Sequence, residues 1–213
     1  MNRRSIAAAL LSMMLIGASP PAAPSEQRPL VLAFGDSLTA GYGLEQGLGF
    51  APQLQATLRR HGLKAEVVDG GVSGDTTAAG RARLGWTLDG MARKPDLVIL
   101  ELGANDMLRA LDPSLTEANL DSMLAELGRR QIPVLLAGMR GAPNMDPAFV
   151  TQFEAIYPRL AATHDTPIYP FFLDGVAAQP GMQLPDGMHP TFEGVKRIVT
   201  GIAPAVKQAL GSR

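Results

Sequence analysis

With 213 residues, 46% hydrophobic and 18% charged, the chain is long enough for one α/β domain with a sizeable core and short for two. Its 19 lysines and arginines and 20 aspartates and glutamates leave a formal charge of -1, mixed along the chain, which excludes the basic face that nucleic-acid binding needs. Cysteine is absent, so a cysteine nucleophile, a thiolate metal site and a cysteine-anchored lipoprotein are excluded.

The N-terminal stretch carries an address. Arg3 and Arg4 precede an apolar run from Ile6 to Ile16, followed by Gly17, Ala18 and Ser19 and then the Pro- and Ala-rich Pro20 to Pro24. This pattern predicts a cleaved signal peptide and leader over residues 1–24, ahead of a single domain over 28–213. The apolar run is short for a bilayer span, so no stable membrane insertion is expected after cleavage; an uncleaved N-terminal anchor is the alternative.

Beyond the leader, Leu30 to Phe34 predicts a buried strand, followed by a turn through Gly41 and Gly43. Phe50, Leu54 and Leu58 recur at helical spacing, and Gly62 closes that helix. Ala65 to Val68 is the second strand. The small and polar stretch Gly70 to Gly80 leads into a helix around Arg81 to Leu88. Asp96 to Leu102 has the continuous apolar run of a central parallel strand. Ser114 with Glu117 forms a capping-box pattern for a helix reaching Arg130. Val134 to Ala137 is the fourth strand. Asp146 and Pro147 open a helix to about Ala162, with a kink expected at Pro158. Ile168 to Phe172 is the fifth strand, and a last amphipathic helix runs from Phe192 to Leu210. Five strands alternating with helices predict an α/β fold with a parallel sheet covered on both faces.

In such a sheet, ligands bind at the carboxyl ends of the strands. Four segments reach that edge: Gly35-Asp36-Ser37-Leu38, Gly71-Val72-Ser73-Gly74-Asp75, Gly103-Ala104-Asn105-Asp106, and, through a longer loop, Asp186-Gly187-Met188-His189-Pro190. Together they supply the parts of an acyl-transfer site. The Ser37 hydroxyl needs a base to take its proton as it attacks, and His189 is the candidate. Asp186, three residues earlier, suits the role of fixing the histidine tautomer. The developing oxyanion needs preset donors, for which the Ser37 N–H, the Gly74 N–H and the Asn105 side-chain amide are the candidates.

These same runs resemble the four blocks of the GDSL, or SGNH, hydrolase family, whose Ser, Gly, Asn and His match Ser37, Gly74, Asn105 and His189. FGDSLTAGYGL, GVSGDTTAAGRARL, ELGANDMLR and PDGMHP are similar to the subgroup of periplasmic thioesterase/lysophospholipases and arylesterases. The resemblance covers nearly all of the chain after the leader. It implies a flavodoxin-like three-layer α/β/α sandwich with a five-stranded parallel sheet. It also implies hydrolysis of small acyl esters or thioesters through a Ser-His-Asp triad, with no metal or cofactor, and export to the periplasm rather than the medium. Gly141 to Asp146 and Val176 to Pro185 are expected to line the acyl pocket, and Met182, Leu184, Met188 and Phe149 to make it apolar.

Several plainer readings stand beside these. Ser37 alone suits a helix N-cap, Gly74 and Asn105 suit turns, and Asp36 and Asp106 suit bracing hydrogen bonds. His61 and His164 read as surface residues closing helices, where a cation suits the dipole. No Gly-x-Ser-x-Gly elbow occurs, and Gly41 to Gly47 misses the dinucleotide fingerprint by one residue. A carbohydrate acetyl esterase and a non-catalytic lipid- or carbohydrate-binding module on the same fold are the alternatives.

Overall fold

Apolar strands of four to six residues form the middle of the molecule in a computed structural model that describes residues 28–211. β1 (Leu30–Gly35), β3 (Leu97–Glu101) and β4 (Val134–Ala137) are buried along their whole length. That burial is why they carry unbroken apolar runs instead of alternating ones. β2 (Glu66–Gly71) and β5 (Ile168–Tyr169) are only partly covered and lie at the edges. The sheet is parallel throughout, in the order β2-β1-β3-β4-β5. This is the flavodoxin-like order expected from the resemblance.

The crossovers between parallel strands place the helices on both faces. α2 (Phe50–Arg60) packs against α7 (Phe192–Gly211) on one face. On the other, α5 (Pro113–Arg129) packs between α3 (Thr77–Asp89) and α6 (Pro147–Thr163). The chain leaves β1 and β3 toward opposite faces, which opens a crevice between their carboxyl ends. Two short helices sit there: α1 (Ser37–Ala40) after β1 and α4 (Ala104–Leu108) after β3. The sequence pattern announced neither, because four or five residues are too few for a helical period to show.

Other boundaries moved for identifiable reasons. β2 runs on to Gly71 because its glycines pair with Phe34 and Gly35 of β1, and α3 starts at Thr77, capped by the Thr76 side chain. Asp112, not Ser114, caps α5: its carboxylate accepts from the Ser114 N–H, Pro113 takes the first turn, and Glu117 pairs with Arg159 instead. β5 stops at Tyr169, since the Phe172 N–H turns back to the Gly138 carbonyl. Pro158 lies inside α6 without ending it. Asp146 caps α6 as expected. His61 and His164 occupy the C-caps of α2 and α6, and His164 Nε2 lies 2.7 Å from Asp121 Oδ1. The leader expected over residues 1–24 lies outside the described residues.

Leu100 sits in the central strand with no exposed surface. Its truncation to alanine removes buried apolar area and leaves a cavity that a close-packed sheet cannot close. Leu100→Ala is expected to cost about 2–5 kcal/mol in urea unfolding, with the m-value unchanged.

Candidate active site

The loop that carries His189 is built around one carboxylate. Asp186 Oδ1 accepts from the N–H groups of Met188 (2.8 Å) and His189 (3.0 Å), and Oδ2 lies 2.7 Å from His189 Nδ1. Gly187 makes this tight turn with a φ of 69°, and its N–H donates to the Leu184 carbonyl. The loop is tied from outside as well: the Leu184 N–H donates to the His189 carbonyl and Gln183 Nε2 donates to the Gly187 carbonyl. Those backbone hydrogen bonds, from His189 and then Met188, hold the Asp186 carboxyl down at about 2, below its usual 3.8.

A carboxylate facing Nδ1 keeps the proton on that nitrogen and leaves the Nε2 lone pair for Ser37. His189 Nε2 lies 2.9 Å from Ser37 Oγ. Ser37 is the first residue of α1, so its N–H has no intrahelical partner. The cap of that helix is Asp36, whose Oδ1 accepts from the Leu38 N–H at 2.9 Å. Asp36 Oδ2 accepts from Asn105 Nδ2 at 3.1 Å, which orients the amide beside the serine. Burial is the leading reason that the Asp36 carboxyl is pushed up to about 6.

Ser37, Asn105 and His189 line a cavity of about 440 Å³ at the β1–β3 crevice. Its wall is mostly apolar, with Leu38, Met107, Leu108, Met139, Phe171 and Leu173 contributing. Gly141, Ala142, Pro143, Ala177, Ala178 and Gln183 also line it, so both expected loops contribute. Of the four apolar residues assigned to it, only Met188 is on the wall. Phe149 stacks on Phe153, and Met182 packs against the core. Leu184 is also off the wall and lies against Gly43.

Gly74 is likewise off the cavity wall. It lies exposed on the loop after β2, with a φ of 87° that favours glycine, and its carbonyl accepts from Arg109 Nη2 at 2.9 Å. Asp106 braces the scaffold, accepting from the Thr77 N–H (2.8 Å), Thr77 Oγ1 (2.5 Å) and Thr116 Oγ1 (3.2 Å).

Three neighbours escaped the sequence reading. Tyr42 covers the His189 ring, with centroids 4.3 Å apart. Arg83 donates to the Gly35 carbonyl at 2.8 Å and pairs with Asp75 at 2.6 Å. Glu101, at the end of β3, is fully buried against Asp36 and Thr39. Only Glu101 left a mark in the sequence, as an acid closing an otherwise apolar run.

A hydroxyl, an imidazole with a fixed tautomer and an oriented amide at the mouth of an apolar cavity form a set able to attack and stabilise a carbonyl. Comparison with known proteins points the same way. The family model described as GDSL-like Lipase/Acylhydrolase matches residues 33–197. Esterase TesA of Pseudomonas aeruginosa is 38% identical over 180 residues, covering 84% of this chain and 89% of that protein. Thioesterase 1/protease 1/lysophospholipase L1 of Escherichia coli K12 is 36% identical over 160 residues, covering 75% and 74%. The crystal structure of AlinE4, an SGNH-hydrolase family esterase, superposes with a TM-score of 0.75 at 46% identity, covering 88% of this chain and all of that one.

The two aspartates should titrate on opposite sides of the ordinary value. The ionised form of Asp186 is the one the fold holds, so its stabilising effect is present above pH 3.8 and is lost as pH falls toward about 2. Burial disfavours ionised Asp36, so the native state is penalised above about pH 6 and relieved as pH falls from 6 toward 4. A carbon-13 titration of the side-chain carboxyls is expected to give midpoints near 2 for Asp186 and near 6 for Asp36. Two midpoints together near 3.8 would contradict the geometry.

Proposed function

The chain belongs to the GDSL-like lipase/acylhydrolase family and is an ester hydrolase, and from that premise we propose that Ser37, His189 and Asp186 carry a two-step acyl transfer. The observation that carries this reading is the hydrogen-bonded series from Asp186 Oδ2 through both ring nitrogens of His189 to Ser37 Oγ.

Ser37 Oγ attacks the acyl carbonyl carbon as its proton passes to His189 Nε2. The imidazolium formed is stabilised by Asp186, which stays an anion. The tetrahedral oxyanion is met by the Ser37 N–H and the Asn105 amide, with the Gly74 N–H as the third proposed donor. Collapse breaks the bond to the leaving group, which departs with the proton from Nε2. Water then attacks the acyl-enzyme, gives its proton to Nε2, and the carboxylic acid leaves as that proton returns to Ser37 Oγ.

The apolar cavity beside Ser37 is proposed to take the acyl chain, its Leu, Met and Phe side chains favouring a hydrocarbon over a sugar. Thioesters suit the same steps, since a thiolate is a better leaving group than an alkoxide; the thioesterase name of the Escherichia coli relative supports including them. Export to the periplasm is proposed on Arg3, Arg4 and the apolar run that follows them. Among the described residues, no helix is long and apolar enough to cross a membrane.

Replacing Ser37 with alanine is expected to lower kcat on a short p-nitrophenyl ester by about a millionfold, because the covalent route is lost. Turnover near the wild-type rate would end the assignment. Asn105→Ala is expected to lower kcat by about a hundredfold or more with a modest change in KM, since the amide acts on charge that develops only in the transition state. An unchanged kcat would return Asn105 to a purely structural part.

A further inference from the structure

Glu101 is an acid where the sheet has no room for charge. It ends β3 after four apolar residues and has no exposed surface. Its Oε2 accepts from Thr39 Oγ1 at 2.6 Å and from the Asp36 N–H at 3.4 Å. Its Oε1 is buried and, among the described residues, has no hydrogen-bond partner. Asp36 and Thr39 flank Ser37 in the chain, one before it and one two places after. Gly35 makes this approach possible, since a Cβ there would run into both Thr39 Oγ1 and Glu101 Oε2.

The groups around Glu101 decide its charge. Asp36 is a second buried carboxyl at the same point, and the Tyr157 hydroxyl, also buried, donates to the Leu102 carbonyl. Arg83, the cation at this strand end, is engaged by Asp75 and the Gly35 carbonyl. Two carboxyl groups so close and so dry do not both ionise. Asp36 is the better place for the anion, because Leu38 and Asn105 both donate to it. An ionised Glu101 would leave Oε1 as a bare charge in the core. Burial and the neighbouring Asp36 carboxyl accordingly push the Glu101 carboxyl well above the usual carboxylate range.

We propose that Glu101 is a positioning residue which, as a neutral carboxylic acid, clamps the chain on both sides of Ser37 and so aims the hydroxyl at His189. The proposal rests on Ser37 being the nucleophile. Asp36 completes the device by holding the Asn105 amide, so the two buried acids register serine and amide against each other. A misplacement of about 1 Å at a reacting group costs about a hundredfold in rate, which sets the scale of what the clamp protects.

The test compares kcat and KM for a short p-nitrophenyl ester in wild type, Glu101→Gln, Glu101→Leu, Thr39→Val and Ser37→Ala. Glutamine keeps the shape, the neutral charge and the acceptor for Thr39, so Glu101→Gln is expected to keep kcat within about threefold. Leucine removes the clamp, and Glu101→Leu is expected to lose about 10- to 100-fold in kcat per folded enzyme with little change in KM. A part confined to stability would lower the unfolding midpoint and leave kcat per folded molecule alone. If Glu101→Leu does not fold, Thr39→Val carries the same test with an expected loss of about 3- to 10-fold in kcat. Wild-type kcat in folded Glu101→Leu, or in Thr39→Val where that stands alone, overturns the proposal. So does a Glu101→Gln enzyme as slow as Glu101→Leu or Thr39→Val. Ser37→Ala keeps the two ideas apart: if it is inactive while Glu101→Leu is fully active, only the clamp fails.

Discussion

The 2.9 Å approach of His189 Nε2 to Ser37 Oγ joins side chains 152 positions apart in the sequence. A parallel sheet brings the exits of β1 and β3, and the longer loop after β5, to one edge, so distant segments arrive together without long detours. The reversal of direction between β1 and β3 opens the crevice into which they project. Neither side chain is placed by its own secondary structure alone. Ser37 stands at the mouth of a four-residue helix, and His189 on a loop that is irregular but for one isolated bridge, Gln183 to Pro190.

Such short and irregular elements need other means of rigidity, and here polar groups supply it. Asp186 organises its loop with three hydrogen bonds from Met188 and His189. Asp36 caps α1 and orients Asn105, Asp106 ties α3 to α5, and Glu101 grips the turn from beneath. Burying acids is costly unless each is satisfied or neutral, so a site held in this way trades stability for a defined geometry. The trade shows in the opposite displacements of the two aspartates: Asp186 is held ionised on a half-open loop, while buried Asp36 resists ionisation. A purely apolar core would have been cheaper, but it offers no directional contacts with which to aim a hydroxyl.

Much of this was legible in the residues because the chemistry demands fixed types at short spacing. Asp186 and His189 lie three apart, Ser37 follows a buried strand, and Asn105 follows another; the fold brings all four together as the alternation of strands and helices predicts. What escaped has a common cause. Glu101 lies inside what reads as a continuous apolar run, and its burial beside Asp36 is a fact of the third dimension. Tyr42 reaches His189 only through the turn after α1, whose four residues carry no period. Apolarity alone places Phe149, Met182 and Leu184 in the cavity, yet the chain turns them toward Phe153, the core and Gly43. Leu38, Met107 and Leu173 take their place on the wall. The cap of α5 was readable after all: Asp112 followed by Pro113 is a stronger start signal than Ser114 with Glu117.

Ser37, activated by His189, is proposed to be the group that takes the acyl chain. The decisive measurement is treatment with a p-nitrophenyl alkylphosphonate, which transfers phosphorus to an activated serine and then stalls, followed by peptide mapping. One phosphonyl group per chain is expected, on the peptide that holds Ser37, with esterase activity falling in step with its incorporation. Complete labelling at any other residue, or full activity with Ser37 fully modified, would rule Ser37 out as the nucleophile.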